Sequence, residues 1–228
     1  MLRTGTYSIV ARDPGTGELG VAVQSHWFAV GPIVPWVRPG VGAVATQSIA
    51  EPASGPNGLD RLAAGEDPGS ALDALLAADD RSRFRQVAMI DAHGVVAVHT
   101  GPGCIAHAGH VAGGQFSAQA NMMSSPEVWP AMAAAFEGAG GHLSRRLLAA
   151  LEAAEAQGGD ARGRQSAALV VAPPDGDGWR RAIDVRVDDH PEPLAELGRL
   201  LDLAEAYALA GEGDELVGEG RHHEAGER

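Results

Sequence analysis

Polar and apolar positions in the first half of the chain fall into short runs. Thr6–Arg12 (TYSIVAR) and Leu19–Ser25 (LGVAVQS) are brief segments rich in β-branched residues, which predicts two strands. The intervening DPGTGE, residues 13–18, is dense turn chemistry, so the pair predicts a hairpin. A Pro-rich crossover over 31–39 follows, and residues 41–50 (VGAVATQSIA) predict a third strand. These strands are apolar at both alternating sets of positions, as expected of strands covered on both faces.

Helical spacing appears at 57–64 and 68–78. Leu59, Leu62 and Ala63 make one stripe; Ala71, Leu72, Leu75 and Leu76 make the next. Pro68 stands where a first-turn proline belongs. Residues 86–91 and 95–100 predict strands around a turn at 92–94, and 115–121 predict another strand. Residues 126–136 and 143–157 predict helices, the second closed by Gly158-Gly159-Asp160. Strands at 166–172 and 180–187 flank a turn-rich 173–178. Pro191 opens a last helix with Leu194, Leu197, Leu200, Leu201 and Ala204 as its buried stripe. Asp188, Asp189 and His190 before it fit a strand end and helix cap. This order predicts an α+β fold with two sheets held between helices. Residues 211–228 carry six acids against two arginines and two histidines, His222 and His223, with no apolar stripe, which predicts a solvated acidic tail. The organisation expected is an extension or propeptide over 1–5, one domain over 6–210, and the tail.

A chain of 228 residues can bury a sizeable core without a disulfide or metal staple. Every apolar run is broken well before about 18 residues, so no membrane partner is expected. Residues 1–5 are not followed by a signal-type apolar region, and the single cysteine, Cys104, excludes an internal disulfide and a cysteine metal cluster. The expected compartment is the cytoplasm. The net charge is −13 and all 17 cations are arginine. Such a chain lacks the basic footprint of a nucleic-acid binder. Without lysine it cannot be a Schiff-base enzyme or a P-loop NTPase.

The dipeptide Gly5-Thr6, just before the first strand, carries the sharpest chemistry. A threonine made N-terminal by cleavage offers its hydroxyl as nucleophile and its own α-amine as general base. That amine titrates near 7.7–8.0, matched to neutral pH, whereas a lysine amine near 10.4 would need a large shift. The glycine permits the tight approach that self-cleavage requires. The plainer reading makes Thr6 a β-branched strand residue.

Gln24, Ser25 and His26 end the second strand, which antiparallel geometry places beside Thr6. Ser25 or Gln24 can orient the amine and His26 can touch substrate. Thr46, Gln47 and Ser48 end the third strand with the same polarity. Asn121 is the side-chain candidate for an oxyanion hole, or else a turn residue. Asp160, Arg162, Arg164, Gln165 and Ser166 lie between a helix and a strand. There the arginines can grip a substrate carboxylate and Asp160 can fix one of them; a local charge cluster is the alternative. Arg38 can supply a fixed positive charge but cannot exchange protons.

His99, His107 and His110, with Asp91, His93 and Cys104, invite a metal reading. The glycines and proline at 101–103 and Gly109 break the helix that would align them, no recognised ligand spacing appears, and no metal or other cofactor is expected. His99 at a strand end fits a substrate contact. Cys104 as a nucleophile would need His99 or His107 beside it.

The run 6–28 resembles the opening of proteasome-type N-terminal-nucleophile hydrolases. More closely, the chain resembles a bacterial family catalogued as domain of unknown function 1028 and grouped with those hydrolases. The resemblance rests on YSIVARDPGTGELGVAVQS (7–25), FAVG (28–31), GVGAVATQS (40–48), HTG (99–101), GGDARGRQSAAL (158–169) and IDVRVDDHP (183–191). It spans residues 6 to about 205. It implies a four-layer αββα sandwich and, at superfamily level, hydrolysis of an amide or related bond. Members of the family begin with Met directly before the threonine; here residues 2–5 intervene, so exposing Thr6 requires cleavage at Gly5–Thr6. Proteasome-like enzymes also keep a lysine beside the nucleophile, which this chain lacks, leaving the base role to the α-amine.

The leading expectation is therefore a hydrolase cleaving a C–N bond of a small molecule. Thr6 is nucleophile and base, Asn121 helps form the oxyanion hole, and Gln24, Ser25, His26, Arg38, Gln47, His99, Asp160, Arg162, Arg164 and Ser166 serve binding. The alternative is a non-catalytic small-molecule-binding or assembly protein with Thr6 unprocessed. A third reading is a metal hydrolase built on residues 91–110. A homo-oligomer is expected by general prevalence.

Overall fold

The computed structural model describes residues 5–219 and 221–222. The predicted extension, apart from Gly5, and His223 with the end of the tail lie outside the described residues. The first hairpin forms as the pattern dictates: β1 (Thr6–Arg12) pairs antiparallel with β2 (Leu19–Ser25) across a turn in which Asp13 Oδ1 accepts the Gly15 and Thr16 N–H groups. Next come β3 (Pro35–Arg38) and β4 (Gly42–Ser48), helices α1 (Ser54–Ala63) and α2 (Pro68–Ala77), then β5 (Arg85–Asp91), β6 (Val96–Thr100), β7 (Gly109–Gly113) and β8 (Phe116–Asn121). Helices α3 (Val128–Gly138) and α4 (Leu143–Ala156), strands β9 (Ser166–Ala172) and β10 (Ile183–Val187), and helix α5 (Pro193–Gly218) complete the chain.

Two strands are additions to the pattern reading. Strand β3 lies inside the predicted Pro-rich crossover and β7 in a stretch, 101–114, to which the pattern assigns no element. Both are edge strands, β3 opening on proline and β7 bounded by glycines, so neither carries a β-rich run. The last helix starts at Pro193 rather than Pro191, and it continues to Gly218, well into the predicted tail; His222 is exposed.

All strand pairs are antiparallel, in a six-stranded sheet of order β10-β9-β2-β1-β8-β7 and a four-stranded sheet of order β3-β4-β5-β6. Period-two alternation sends each strand's side chains to opposite faces. On β1, Tyr7, Ile9 and Ala11 pack with α3, α4 and α5, while Val10 joins Val21, Val23, Ala43 and Ile90 between the sheets. Val44, Val87 and Met89 pack the other face of the small sheet against Leu59 and Leu72 of α1 and α2. The order through the molecule is thus helices, sheet, sheet, helices. Among the described residues no helix is long and apolar enough to cross a membrane.

Candidate functional site

The layer between the sheets is apolar at one end and polar at the other. Val10 on β1 gives way to Ser8 and Thr6 on the same face. By the same alternation β2 ends on Ser25, β4 on Gln47, β8 on Gln119 and Asn121, and β5 starts on Gln86. All are buried. Buried polar side chains demand partners, and these find one another. Ser8 Oγ donates to Gln47 Oε1 (2.6 Å), Gln119 Nε2 donates to Ser8 Oγ (2.7 Å), and Gln47 Nε2 donates to Gln86 Oε1 (2.8 Å).

Thr6 sits at the head of this network, 2% exposed. Its carbonyl oxygen accepts from Gln47 Nε2 (3.2 Å) and Asn121 Nδ2 (3.3 Å). Its hydroxyl faces backwards along the chain: Thr6 Oγ1 donates to the Gly5 carbonyl oxygen at 2.5 Å and lies 3.0 Å from Ser25 Oγ. The same carbonyl oxygen accepts from Ser25 Oγ (2.6 Å) and Arg162 Nη2 (2.9 Å). The carbonyl of the Gly5–Thr6 peptide therefore has three donors, one of them cationic.

Arg162 is held by Asp160, whose side chain is wholly buried. Asp160 Oδ1 accepts from Arg162 N (2.9 Å) and Nε (3.0 Å); Oδ2 accepts from Arg162 Nη2 (2.7 Å) and His26 N (3.2 Å). A Cβ on residue 5 would lie 2.7 Å from Asp160 Oδ2, so only glycine fits beside the carboxylate.

A cavity of about 280 Å³ opens from Thr6, Ser25 and Gln47 toward Trp27, Ile33 and Ile49. Three non-glycine residues with positive φ surround this end of the sheets: Ala29 (52°), Ser48 (76°) and Met122 (58°). Such conformations are costly and cluster at functional sites.

The structure brings Thr6, Ser25, Gln47, Asn121, Asp160 and Arg162 together, with the His26 backbone. Ser166 supports the cavity wall by accepting from Val30 N (3.1 Å) and donating to the Trp27 carbonyl. Other expected residues lie elsewhere. Gln24 is one residue from Ser25, and alternation turns it to the helix-covered face; it is fully buried and neither amide atom has a partner. Arg38 pairs with Gly42, at the opposite end of β4 from Gln47, and binds Asp60 at 2.8 Å. His99, opposite Val87, faces away from the intersheet layer and meets the Ser82 carbonyl at 3.1 Å. Arg164 pairs with Glu155 (3.4 Å) and Glu192. Both Asn121 Nδ2 hydrogens are engaged, by Thr6 O and by Gln86 Oε1 (3.1 Å), so Asn121 holds the Thr6 backbone rather than pointing a free N–H outward.

Ser8, Gln86 and Gln119 were not singled out by the sequence; their signal was a lone polar residue on the inner face of an otherwise apolar strand. Burial pushes the Cys104 thiol up, away from nucleophilic thiolate. Burial, with the charge of His99 adding to it, lowers the His110 pKa. Tyr7 donates to Glu155 (2.8 Å), and burial followed by that carboxylate raises its phenol well above the usual range, so it serves as a donor, not a base. Among the described residues no three His, Cys, Asp or Glu side chains come together as a metal-ligand set.

A family of unknown function, DUF1028, matches residues 6–197. Protein SPO2555 from Silicibacter pomeroyi, a crystal structure assigned to the same family, is 33% identical. Its alignment covers 88% of this chain and 89% of that one with a TM-score of 0.80. Anbu (ancestral beta-subunit) from Yersinia bercovieri aligns over 89% of this chain and 96% of its own at 13% identity, with a TM-score of 0.42. No curated protein matches.

Proposed function

The chain belongs to the DUF1028 family of unknown function, and we propose that it is a hydrolase of the N-terminal-nucleophile type that cleaves an amide or similar C–N bond of a small molecule. The reading takes the helix–sheet–sheet–helix stack as the αββα sandwich of that type. The observation that carries it is the set of donors on the Gly5 carbonyl: Thr6 Oγ1, Ser25 Oγ and Arg162 Nη2, all within 2.9 Å.

Those donors suit cleavage of the Gly5–Thr6 peptide. The Thr6 oxygen attacks the Gly5 carbonyl carbon, and Ser25 and Arg162 take the developing oxyanion, the kind of stabilisation worth roughly 3–4 kcal/mol per donor. The hydroxyl proton passes to the departing Thr6 nitrogen as the C–N bond breaks, leaving Gly5 as an ester on Thr6 Oγ1. Water hydrolyses the ester, releasing the Gly5 carboxylate and restoring the hydroxyl. Thr6 then carries a free amine. In turnover that amine takes the hydroxyl proton as Thr6 attacks the substrate's acyl carbon, and returns it to the leaving nitrogen. Ser25 and Arg162 serve the second oxyanion as they served the first.

Intact mass of freshly purified protein tests this. A chain beginning at Thr6, with Thr6→Ala uncut, folded and inactive toward small amides, is the expected result. A wild-type chain that keeps Gly5, or a Thr6→Ala variant that still turns over, overturns the reading. A full-length chain would support a small-molecule-binding protein with Thr6 unprocessed.

A further inference from the structure

We infer that the group this site delivers to Thr6 is an apolar acyl group of medium size, of the hexanoyl or phenylacetyl class. The inference rests on the hydrolase reading for its chemistry and on the cavity for its specificity. The cavity starts at Thr6 and is walled by Trp27, Val30, Ile33, Val34, Ile49 and Pro52; none of its lining residues is charged. The polar side chains at its inner end are committed. Ser25 Oγ, released from Gly5 O by the cleavage, serves the oxygen of the reacting carbonyl and not the acyl chain, and Gln47 spends its amide on Thr6 O, Gln86 and Ser8. A charged or hydroxylated acyl group would lose its water and find no partner there. An alkyl or aryl group gains from burial against the aliphatic wall.

Size narrows the class further. At about 280 Å³ the cavity lies just below the roughly 300–1,000 Å³ typical of small-molecule sites. An acetyl group leaves most of it empty, and one medium acyl group fills it. Arg162 does not redirect the choice toward anions, because it does not line the cavity and its charge is paired with Asp160. The reaction balances as an ordinary hydrolysis: the acyl C–N bond breaks, the acyl group passes to Thr6 Oγ1, the hydroxyl proton leaves on the departing nitrogen as the neutral amine, and water carries the acyl group off as the carboxylic acid.

The test uses wild-type protein and two cavity variants, Ala50→Phe, which fills the cavity from its rim, and Ile33→Ala, which enlarges it. N-acetyl, N-butanoyl, N-hexanoyl, N-phenylacetyl and N-succinyl 4-nitroanilides report turnover, and calorimetric titration with acetate, hexanoate and succinate reports binding without chemistry. We expect kcat/KM and affinity to rise about fourfold per added methylene until the cavity is full, with succinyl poorest. Ala50→Phe should lower the hexanoyl-to-acetyl ratio at least tenfold, and Ile33→Ala should shift the optimum to longer chains. Chain-length-dependent binding lost in Ala50→Phe, without turnover, keeps the acyl-site inference and removes the hydrolase reading. Turnover indifferent to chain length, or best with succinyl, overturns the inference and keeps the hydrolase. Neither binding nor turnover overturns it outright.

Discussion

Thr6 and Ser25 face each other in register across the first hairpin, hydroxyl oxygens 3.0 Å apart, and both donate to the Gly5 carbonyl oxygen. Removing one of these donors isolates its share. Ser25→Ala changes a wholly buried side chain by one oxygen and leaves Arg162 in place. The expected outcome is unchanged folding and a loss of roughly 10²–10³-fold in the rate at which Thr6 becomes N-terminal. Time-resolved mass spectrometry of refolded chain measures it, and a rate within a factor of two of wild type would remove Ser25 from the oxyanion site.

The Asp160–Arg162 pair predicts an asymmetric thermodynamic result. Arg162→Met leaves a carboxylate whose side chain has no solvent exposure without its counter-charge, held only by the Arg162 and His26 backbone N–H groups, and losing such a partner costs about 3–5 kcal/mol. Asp160→Asn combined with Arg162→Met removes the stranded charge and should lose less than half as much. Urea denaturation of wild type, single and double variants checks this; a double variant no more stable than the single would show that charge pairing is not what the clamp contributes.

How much of this was legible beforehand follows from period-two geometry. The β1–β2 hairpin and the inner strands read correctly because their apolar runs are unbroken and their turn is dense in Asp, Pro and Gly. Edge strands β3 and β7 did not, because proline and glycine mask an edge strand in any propensity reading. The site divides the same way. Ser25 stands beside Thr6 as antiparallel pairing predicts, whereas Gln24 turns to the opposite face, because one residue along a strand changes the face. Arg162 and Arg164 present the same problem in a loop, where only tertiary contacts decide which one reaches Gly5. Gln86 and Gln119 come from strands distant in sequence, and their meeting under Thr6 depends on sheet order, which no local pattern encodes.

Gln24 makes that misplacement measurable. It lies opposite Tyr7 and Ala167 on the helix-covered side, with both amide atoms buried and unpartnered. A buried unsatisfied polar group costs about 1–3 kcal/mol, and an apolar residue of similar volume avoids that cost. Gln24→Leu should therefore raise stability by about 1 kcal/mol in urea denaturation and leave Thr6 exposure at the wild-type rate. A destabilised variant with slowed cleavage would return Gln24 to the site.

The last prediction concerns pH. His142, the residue capping the start of α4, approaches Glu18 at 3.2 Å through Nε2, and its Nδ1 lies 2.8 Å from Ser144 Oγ. The hydrogen bond to Glu18 raises the His142 pKa, with further support from the charges of Glu18, Glu205 and Asp13 against the cost of burial. The hydrogen bond from His142 likewise lowers the Glu18 pKa. A raised histidine contributes stability that is complete below its unfolded value, about 6.5, and is lost as pH rises through the folded one. A lowered carboxylate contributes stability that is complete above its unfolded value, about 4.3, and is lost as pH falls through the folded one. The pair is therefore strongest between about pH 4.3 and 6.5. His142 is 43% exposed, so the effect stays within the range of about 0–1 kcal/mol of a solvated pair. The Tm difference between wild type and Glu18→Gln should peak in that window and shrink on both sides of it. A difference constant from pH 4 to pH 9 would mean that Glu18 acts through packing and its Thr16 contact alone.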